Sequence, residues 1–299
     1  MACVKLNEIK SGCRPSISLV LCHYYLSANV LQVVIRRLFA SNLFNLRMLV
    51  VVHNGDYVEL NLENYTDLAG RVHQVNGSNS LLDFSAFHEG LDSLNDGEME
   101  SGVLFMNDSL FTKLPSWWIL RRLSLDLVHA QRVDVPCMVG FGADYRFFLQ
   151  SNPWSKAQSY TCSACFFAND KAIGILRSLI ACCMAAFPND TFEKNTEDIG
   201  LKLTKLTGAR FHSYLKLILL NSTGGVWRPT FSVGHIPHMQ LRKAICFYLE
   251  HRFSGEIQLA DGGLVFINRG RHRFGFTVRL YATLFFWKIQ TLIRARLTI

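Results

Sequence analysis

Residues 16–53 read SISLVLCHYYLSANVLQVVIRRLFASNLFNLRMLVVVH, and their periodicity decides the fold class. Ser16–Cys22 is an apolar run of strand length, as expected of a strand buried on both faces. Ala28–Ala40 changes period: Leu31, Val34, Ile35 and Leu38 recur at helical spacing on one face. Arg47–His53 (RMLVVVH) is again a continuous apolar run, closed by the turn residues Asn54-Gly55-Asp56. A strand, a helix and a second strand of these lengths form the crossover that sets two parallel strands in one sheet.

The same alternation continues outward from this unit. Arg71–Val75 reads as a short strand, Asp83–Leu94 (DFSAFHEGLDSL) as a helix, and Gly102–Met106 (GVLFM) as a fourth strand ending in Asn107-Asp108-Ser109. Residues 134–141 and 160–168 read as later strands, and 171–187 as a mostly apolar helix. The expectation is an α/β fold whose mostly parallel sheet is covered by helices on both faces. Such sheets bind ligands beyond the carboxyl ends of their strands. The polar residues there, His23-Tyr24, Asn54 to Asp56, Asn76 to Asn79 and Asn107 to Ser109, are the first candidates for a site.

Composition narrows the class. The 299 residues are 49% hydrophobic and only 18% charged, which excludes a disordered chain. With 20 Gly and 7 Pro, collagen-like and low-complexity classes are excluded as well. A net charge of +8 favours anionic partners such as phosphates, nucleotides or acidic headgroups. No nucleic-acid module accompanies that charge, so nucleic acid is not an expected partner. Nine irregularly spaced cysteines, several within apolar runs, point to free thiols in a reducing cytoplasm. No apolar run of about 18 residues is long enough to span a bilayer, and SISLVLC, followed at once by His23, is not a signal peptide.

Much of the positive charge falls in Arg269–Ile299, which carries seven Arg and Lys residues and no acid. Within it, Phe276–Leu297 (FTVRLYATLFFWKIQTLIRARL) fits either an interfacial helix with aromatic anchors or a terminal helix docked on the domain.

Several constellations could carry chemistry. Asp108 at the end of the fourth strand could hold a divalent cation against a diphosphate, or its turn could simply cap a helix. Asn54-Gly55-Asp56 is a turn at a position where a ribose or base is often read. Glu197-Asp198 opens a helical stretch, EDIGLKLTKL, where acids favour the helix dipole or serve as a general base. Cys162-Ser163-Ala164-Cys165 lacks a second ligand pair and reads as core thiols rather than a zinc site. His235 and His238 flank Ile236-Pro237 without a zincin pattern, and no nucleophile elbow, Walker A loop or complete GxGxxG is present.

Taken in order, SISLVLCHYY, MLVVVHNGD, GVLFMNDS, YTCSACFFANDKAI and NTEDIGLKLTKLTG resemble the motifs of the family 2-like inverting glycosyltransferases, over roughly residues 15–215. GSNSLLDFSAFHEGLDSL followed by VLFMNDSLF resembles a bacterial polysaccharide subgroup that includes the rhamnan-synthesis-like proteins. The resemblance implies a glycosyltransferase-A-like, Rossmann-type catalytic domain over 1–215, with a basic, helical C-terminal extension over 216–299. It implies a nucleotide-diphospho-sugar donor bound near Tyr24, Asn54, Asp56, Asn79, Asp83, Asn107 and Asp108. Asp108 becomes the contact to a divalent cation, Mn or Mg. Asp198, beside Glu197, becomes the general base toward a glycan acceptor, lipid-linked, in surface polysaccharide synthesis such as O-antigen or capsule. The enzyme would sit peripherally on the inner face of the cytoplasmic membrane, held by its C-terminal helix. One departure stands out: the family's acidic motif has two acids separated by one residue, and here it reads Asn107-Asp108-Ser109. That single acid motivates the alternative of a non-catalytic, glycosyltransferase-like binding or scaffold protein in a polysaccharide assembly complex.

Overall fold

Alternate side chains of the central strands enter two different cores, which is why the middles of these strands, Leu19–Cys22, Met48–Val52 and Val103–Met106, are apolar. In the computed structural model, β1 (Ser16–His23) sends Ile17, Leu19 and Leu21 to one face and Val20 and Cys22 to the other, all fully buried. β2 (Asn45–His53) and β4 (Val103–Asn107) divide in the same way, Leu49 and Leu104 going to the first face, Val50 and Phe105 to the second. The structure describes residues 14–61, 68, 70–113, 116–144, 151–155, 159–188 and 237–268, with single positions between 204 and 213.

Seven strands form one sheet in the order β3-β2-β1-β4-β6-β5-β7, completed by β3 (Val72–Asn76), β5 (Cys137–Asp144), β6 (Ser159–Ala168) and β7 (Gly263–Phe266). β1 pairs in parallel with both β2 and β4, β2 with β3, and β5 with β7. β6 alone runs against its neighbours β4 and β5. The chain therefore moves outward through β2 and β3, then returns to the other side of β1 to lay down β4. That reversal is a topological switch point, where adjacent strand ends leave a crevice.

Helices cover both faces, as the alternation predicts. α1 (Ala28–Ala40) buries Leu31, Val34, Ile35 and Leu38 against the first face. It is joined there by α5 (Ser116–Ala130), which buries Ile119, Leu120, Leu123 and Leu127. α2 (Asp83–Asp92), α6 (Asp170–Ala186) and α7 (Pro237–Leu259) cover the second face. Two short helices, α3 (Asp96–Met99) and α4 (Ser109–Lys113), flank β4. Phenylalanines tie the second face together: Phe87 of α2 meets Phe105 at 5.2 Å, Phe105 stacks on Phe166 at 4.9 Å, and Phe166 meets Phe253 of α7 at 5.9 Å. Each such side chain contributes about 1.5–3 kcal/mol by leaving water.

α7 and β7 correct the expected organisation. Both come from beyond residue 216, yet β7 pairs with β5 and α7 packs into the second core. The sheet therefore does not stop at the expected boundary between 215 and 216. Helix EDIGLKLTKL and segment Phe276–Leu297 fall wholly or mostly outside the described residues, as do Glu197, Asp198 and His235. Among the described residues, no helix is long and apolar enough to cross a membrane.

Two glycines differ in how closely a neighbouring element approaches them. Gly102 has φ +86°, and a Cβ there would strike the Phe167 ring and come within 2.8 Å of the Ala168 carbonyl oxygen. Gly174 lies within α6 with nothing near its missing Cβ. Gly102→Ala is expected to lose about 1–3 kcal/mol by overpacking and backbone strain. Gly174→Ala is expected to gain about 0.5–1 kcal/mol from helix propensity. Chemical denaturation of the two variants checks both signs; a stable Gly102→Ala protein would contradict the packing described.

Candidate functional site at the carboxyl ends of β1 and β4

The switch point brings Cys22 of β1 into register with Asn107 of β4, and Asp108 follows at once. Asp108 is completely buried. Its Oδ2 accepts three backbone N–H groups from the loop after β1: Tyr24 at 2.9 Å, Tyr25 at 2.5 Å and Leu26 at 3.0 Å. Its own N–H donates to the Cys22 carbonyl at 2.9 Å. Three successive amides on one carboxylate oxygen form an anion nest already filled by the protein's own side chain. Oδ1 is buried with no hydrogen-bond partner.

The donor set around Asp108 does not fit a hard divalent cation, which takes six or more oxygen ligands. One carboxylate oxygen serves the backbone, the residue is closed to solvent, and the neighbouring Asn107 is oriented by its own bonds. Among the described residues, no group of three or more His, Cys, Asp or Glu side chains could hold a metal. Asp108 thus anchors the loop through Oδ2, and the expected cation contact would fall to Oδ1 alone.

Asp83, the first residue of α2, is the acid that reaches the crevice from the second face. Its Oδ2 accepts from Asn107 Nδ2 at 3.1 Å and from Ser163 Oγ of β6 at 3.2 Å. The Ser163 N–H donates in turn to Glu250 Oε1 of α7 at 2.8 Å. Burial first, then the charge of Asp83, drives the Cys22 thiol well above its ordinary pKa. Burial likewise raises Cys246 of α7, with Lys243 opposing and Asp83 adding to the rise. Both thiols stay protonated and serve as packing. In the CxxC stretch, Cys165 is buried and pushed up to about 12, which agrees with a core thiol.

Asn54 links the loops. Its Nδ2 donates to the Tyr24 hydroxyl at 3.0 Å and to the Leu82 carbonyl at 2.9 Å. Its buried Oδ1 lies against Gly77, where any Cβ would collide with it. The Tyr24 hydroxyl donates to Asn79 Oδ1 at 3.4 Å, and burial, then Cys22 and Asp83, keep that phenol protonated. Leu82 and Asn79 hold φ of 55° and 51°. Asn tolerates that region; for Leu it is strained and persists because neighbouring bonds impose it. The Leu82 carbonyl takes such bonds from both Asn54 Nδ2 and Ser85 Oγ.

Two cations complete the crevice, and the sequence pattern did not reveal them. Arg242 Nη1 donates to the Asn79 carbonyl at 3.2 Å. Lys243 lies close enough to hold down the rise in both Tyr25 and Cys246. Tyr24, Asn54, Asn79, Asp83, Asn107 and Asp108 thus come together. Asp56 does not: it is exposed on the turn after β2. No protein-family model and no curated protein matches the chain.

A buried histidine pair lies beside the site. The Leu26 carbonyl can only accept, so His23 Nε2 donates to it at 2.7 Å. His23 Nδ1 and His53 Nδ1 meet in a hydrogen bond of 3.0 Å whose direction is set by the tautomers of the pair. His53 Nε2 lies 3.3 Å from the Gln74 side-chain amide, and the Tyr57 ring packs 4.7 Å away. Burial, then the neighbouring His23, lowers the pKa of His53.

Two outcomes follow from this geometry. Asp108→Ala strands three backbone donors, one of them fully buried, at about 1–3 kcal/mol each where water cannot replace the lost bond. It is expected to lose at least about 2 kcal/mol, read by denaturation, and added Mn or Mg is expected not to change the loss. For His53 the unfolded chain binds the proton more tightly than the folded one. Stability is then full above the ordinary histidine value of about 6.5 and falls as pH drops below it. The thermal midpoint is expected to fall between about pH 7.5 and about pH 5.5, and His53→Gln to fall less over the same range.

Proposed function

We propose that the chain is a glycosyltransferase of the glycosyltransferase-A type. It moves a sugar from a nucleotide-diphospho-sugar to a glycan acceptor with inversion at the anomeric carbon. The observation that carries the reading is the convergence of Asp83, Asn54, Asn107, Arg242 and Lys243 at the carboxyl ends of β1 and β4. Hydrogen-bonding groups and cations gathered at a switch point suit a ligand with a polar base and sugar on one side and a diphosphate on the other. The resemblance of the motifs between residues 15 and 215 supplies the reaction class.

In this reading the acceptor hydroxyl oxygen bonds to the anomeric carbon as the bond from that carbon to the diphosphate oxygen breaks. Asp198, beside Glu197, takes the hydroxyl proton. The nucleoside diphosphate leaves with the bonding pair, and Arg242 and Lys243 offset its charge. Asn54 and Asp83 orient the donor, with Tyr24 and Asn79 bracing Asn54. Asp108 holds the loop that carries Tyr24 and Tyr25. The acceptor is lipid-linked, in bacterial surface polysaccharide synthesis. The protein works at the inner face of the cytoplasmic membrane, where segment 276–297 adds a basic aromatic anchor.

A second reading rests on one observation: the lone acid of the Asn107-Asp108-Ser109 turn is engaged by backbone amides. A protein that binds a nucleotide sugar without transferring it, as a scaffold of an assembly complex, would need no more.

Thermal shift against a panel of nucleotide sugars, with and without Mn or Mg, tests the binding half. A donor at a hundred times its dissociation constant stabilises the folded state by about 2.7 kcal/mol. The expected result is a shift for one donor that is the same with and without metal and is reduced in Lys243→Ala. Asp198→Asn is expected to abolish turnover while keeping the shift. Turnover undiminished in Asp198→Asn would remove the base assignment, and a shift without any turnover would favour the scaffold. No shift with any donor, from folded protein, would overturn both.

A further inference from the structure

α1 and α5 lie side by side on the first face, and their outer surfaces are of a kind that water does not favour. On α1, Val30 and Val33 are 48% and 59% exposed, and Arg37 continues that stripe one turn on. On α5, Trp117, Arg121 and Leu125 recur every four residues, and Leu125 is 60% exposed. The two stripes meet at an open cleft of about 380 Å³ lined by Arg37, Ala40, Ser41, Leu43, Trp117 and Arg121. The Arg37 guanidinium lies 4.4 Å over the Trp117 ring. Among the described residues, no acid lines the cleft.

We infer that this face docks on an anionic lipid surface, with a headgroup phosphate between Arg37 and Arg121 and the exposed aliphatic side chains at the acyl boundary. Charge decides the sign of the occupant: two guanidiniums with no acid between them call for an anion. The basic segment Arg269–Ile299, with seven Arg and Lys residues and no acid, shares their sign and does not supply one. Chemistry decides its class. A free phosphate would satisfy the arginines but leave Val30, Val33 and Leu125 in water. A lipid surface takes both, and a half-buried Trp with arginines stacked or adjacent is the side-chain set suited to the headgroup level. Arg37, held by cation–π contact, is already oriented before binding. The inference does not depend on the transferase reading, because partition is measured without any donor.

The test uses the full chain and two kinds of sedimenting vesicle: phosphatidylcholine alone, and phosphatidylcholine with about one-third phosphatidylglycerol. The protein is expected to partition onto the anionic vesicles and not the neutral ones. Arg37→Glu with Arg121→Glu is expected to lower that partition about tenfold or more, at about 1 kcal/mol per charge near the surface. Val33→Ser with Leu125→Ser, which leaves every charge in place, is expected to lower it as well. This pair decides the matter if the charge reversal does not fold by circular dichroism. Three results would each overturn the proposal: no partition onto anionic vesicles; partition unchanged by the charge reversal, which leaves the C-terminal segment as the anchor; or partition unchanged by the serine pair, which leaves an anion site without a lipid surface.

Discussion

The carboxylate of Asp108 holds the carboxyl ends of β1 and β4 in one arrangement. Loops after parallel strands normally expose their amides to water. Here the amides of Tyr24, Tyr25 and Leu26 turn inward onto one oxygen that comes from the neighbouring strand. Charge-assisted bonds of this kind are about twice as strong as neutral ones. The fixed loop has consequences next door. Gly55 passes so close to it that a Cβ would lie 2.7 Å from the Tyr24 carbonyl oxygen. The Asn54 and Gly55 amides both donate to the His23 carbonyl, at 2.9 and 3.2 Å. Asn54 then reaches Tyr24 and Leu82, so the loops after β1 and β2 and the start of α2 are registered against one another through a single acid.

Much of this was legible in the sequence. Ala28–Ala40 matches α1 end for end, because Leu31, Val34, Ile35 and Leu38 give one buried face and Ser41 follows outside the helix. The first four strands lie within two residues of their expected bounds, and for β1, β2 and β4 the reason is burial on both faces, which leaves an apolar run that no helix period explains. The position of the site was legible for the same reason: polar residues interrupt those runs at the carboxyl ends. What each polar residue does there was not. Asp108 could hold a cation or cap a turn as far as spacing can say. The three amides it meets belong to a loop more than eighty residues away in sequence.

The missed elements have a common physical cause. α7 is buried along nearly its whole middle, from Ala244 to His251, so no polar face alternates with an apolar one and the helical period is erased. Its stripe of Lys243, Cys246 and Glu250 toward the crevice is visible only once β6 and α2 are known to face it. Ser163 was hidden differently, inside a CxxC pattern that drew attention to the sulfurs. Its hydroxyl, not the thiols, makes the bond to Asp83.

The crevice is costly in ways that stability alone does not explain. Asp83 and Glu250 are 7% and 8% exposed, and Asp83 is held by an amide and a hydroxyl, which compensate the burial of its carboxyl group only in part. Leu82 sits at positive φ beside them, where a glycine would be relaxed. Replacing the buried acids with apolar side chains of equal volume would remove their desolvation cost. Elsewhere in the molecule local preference and tertiary environment agree: the Asn95 capping box of α3, Asn169 capping α6, and the apolar strands between two cores. At the switch point they disagree in several residues at once: the two buried acids and the strained Leu82 before α2. Polar groups fixed in advance lose little freedom on meeting a ligand, which is the gain such an arrangement would bring under the proposed function.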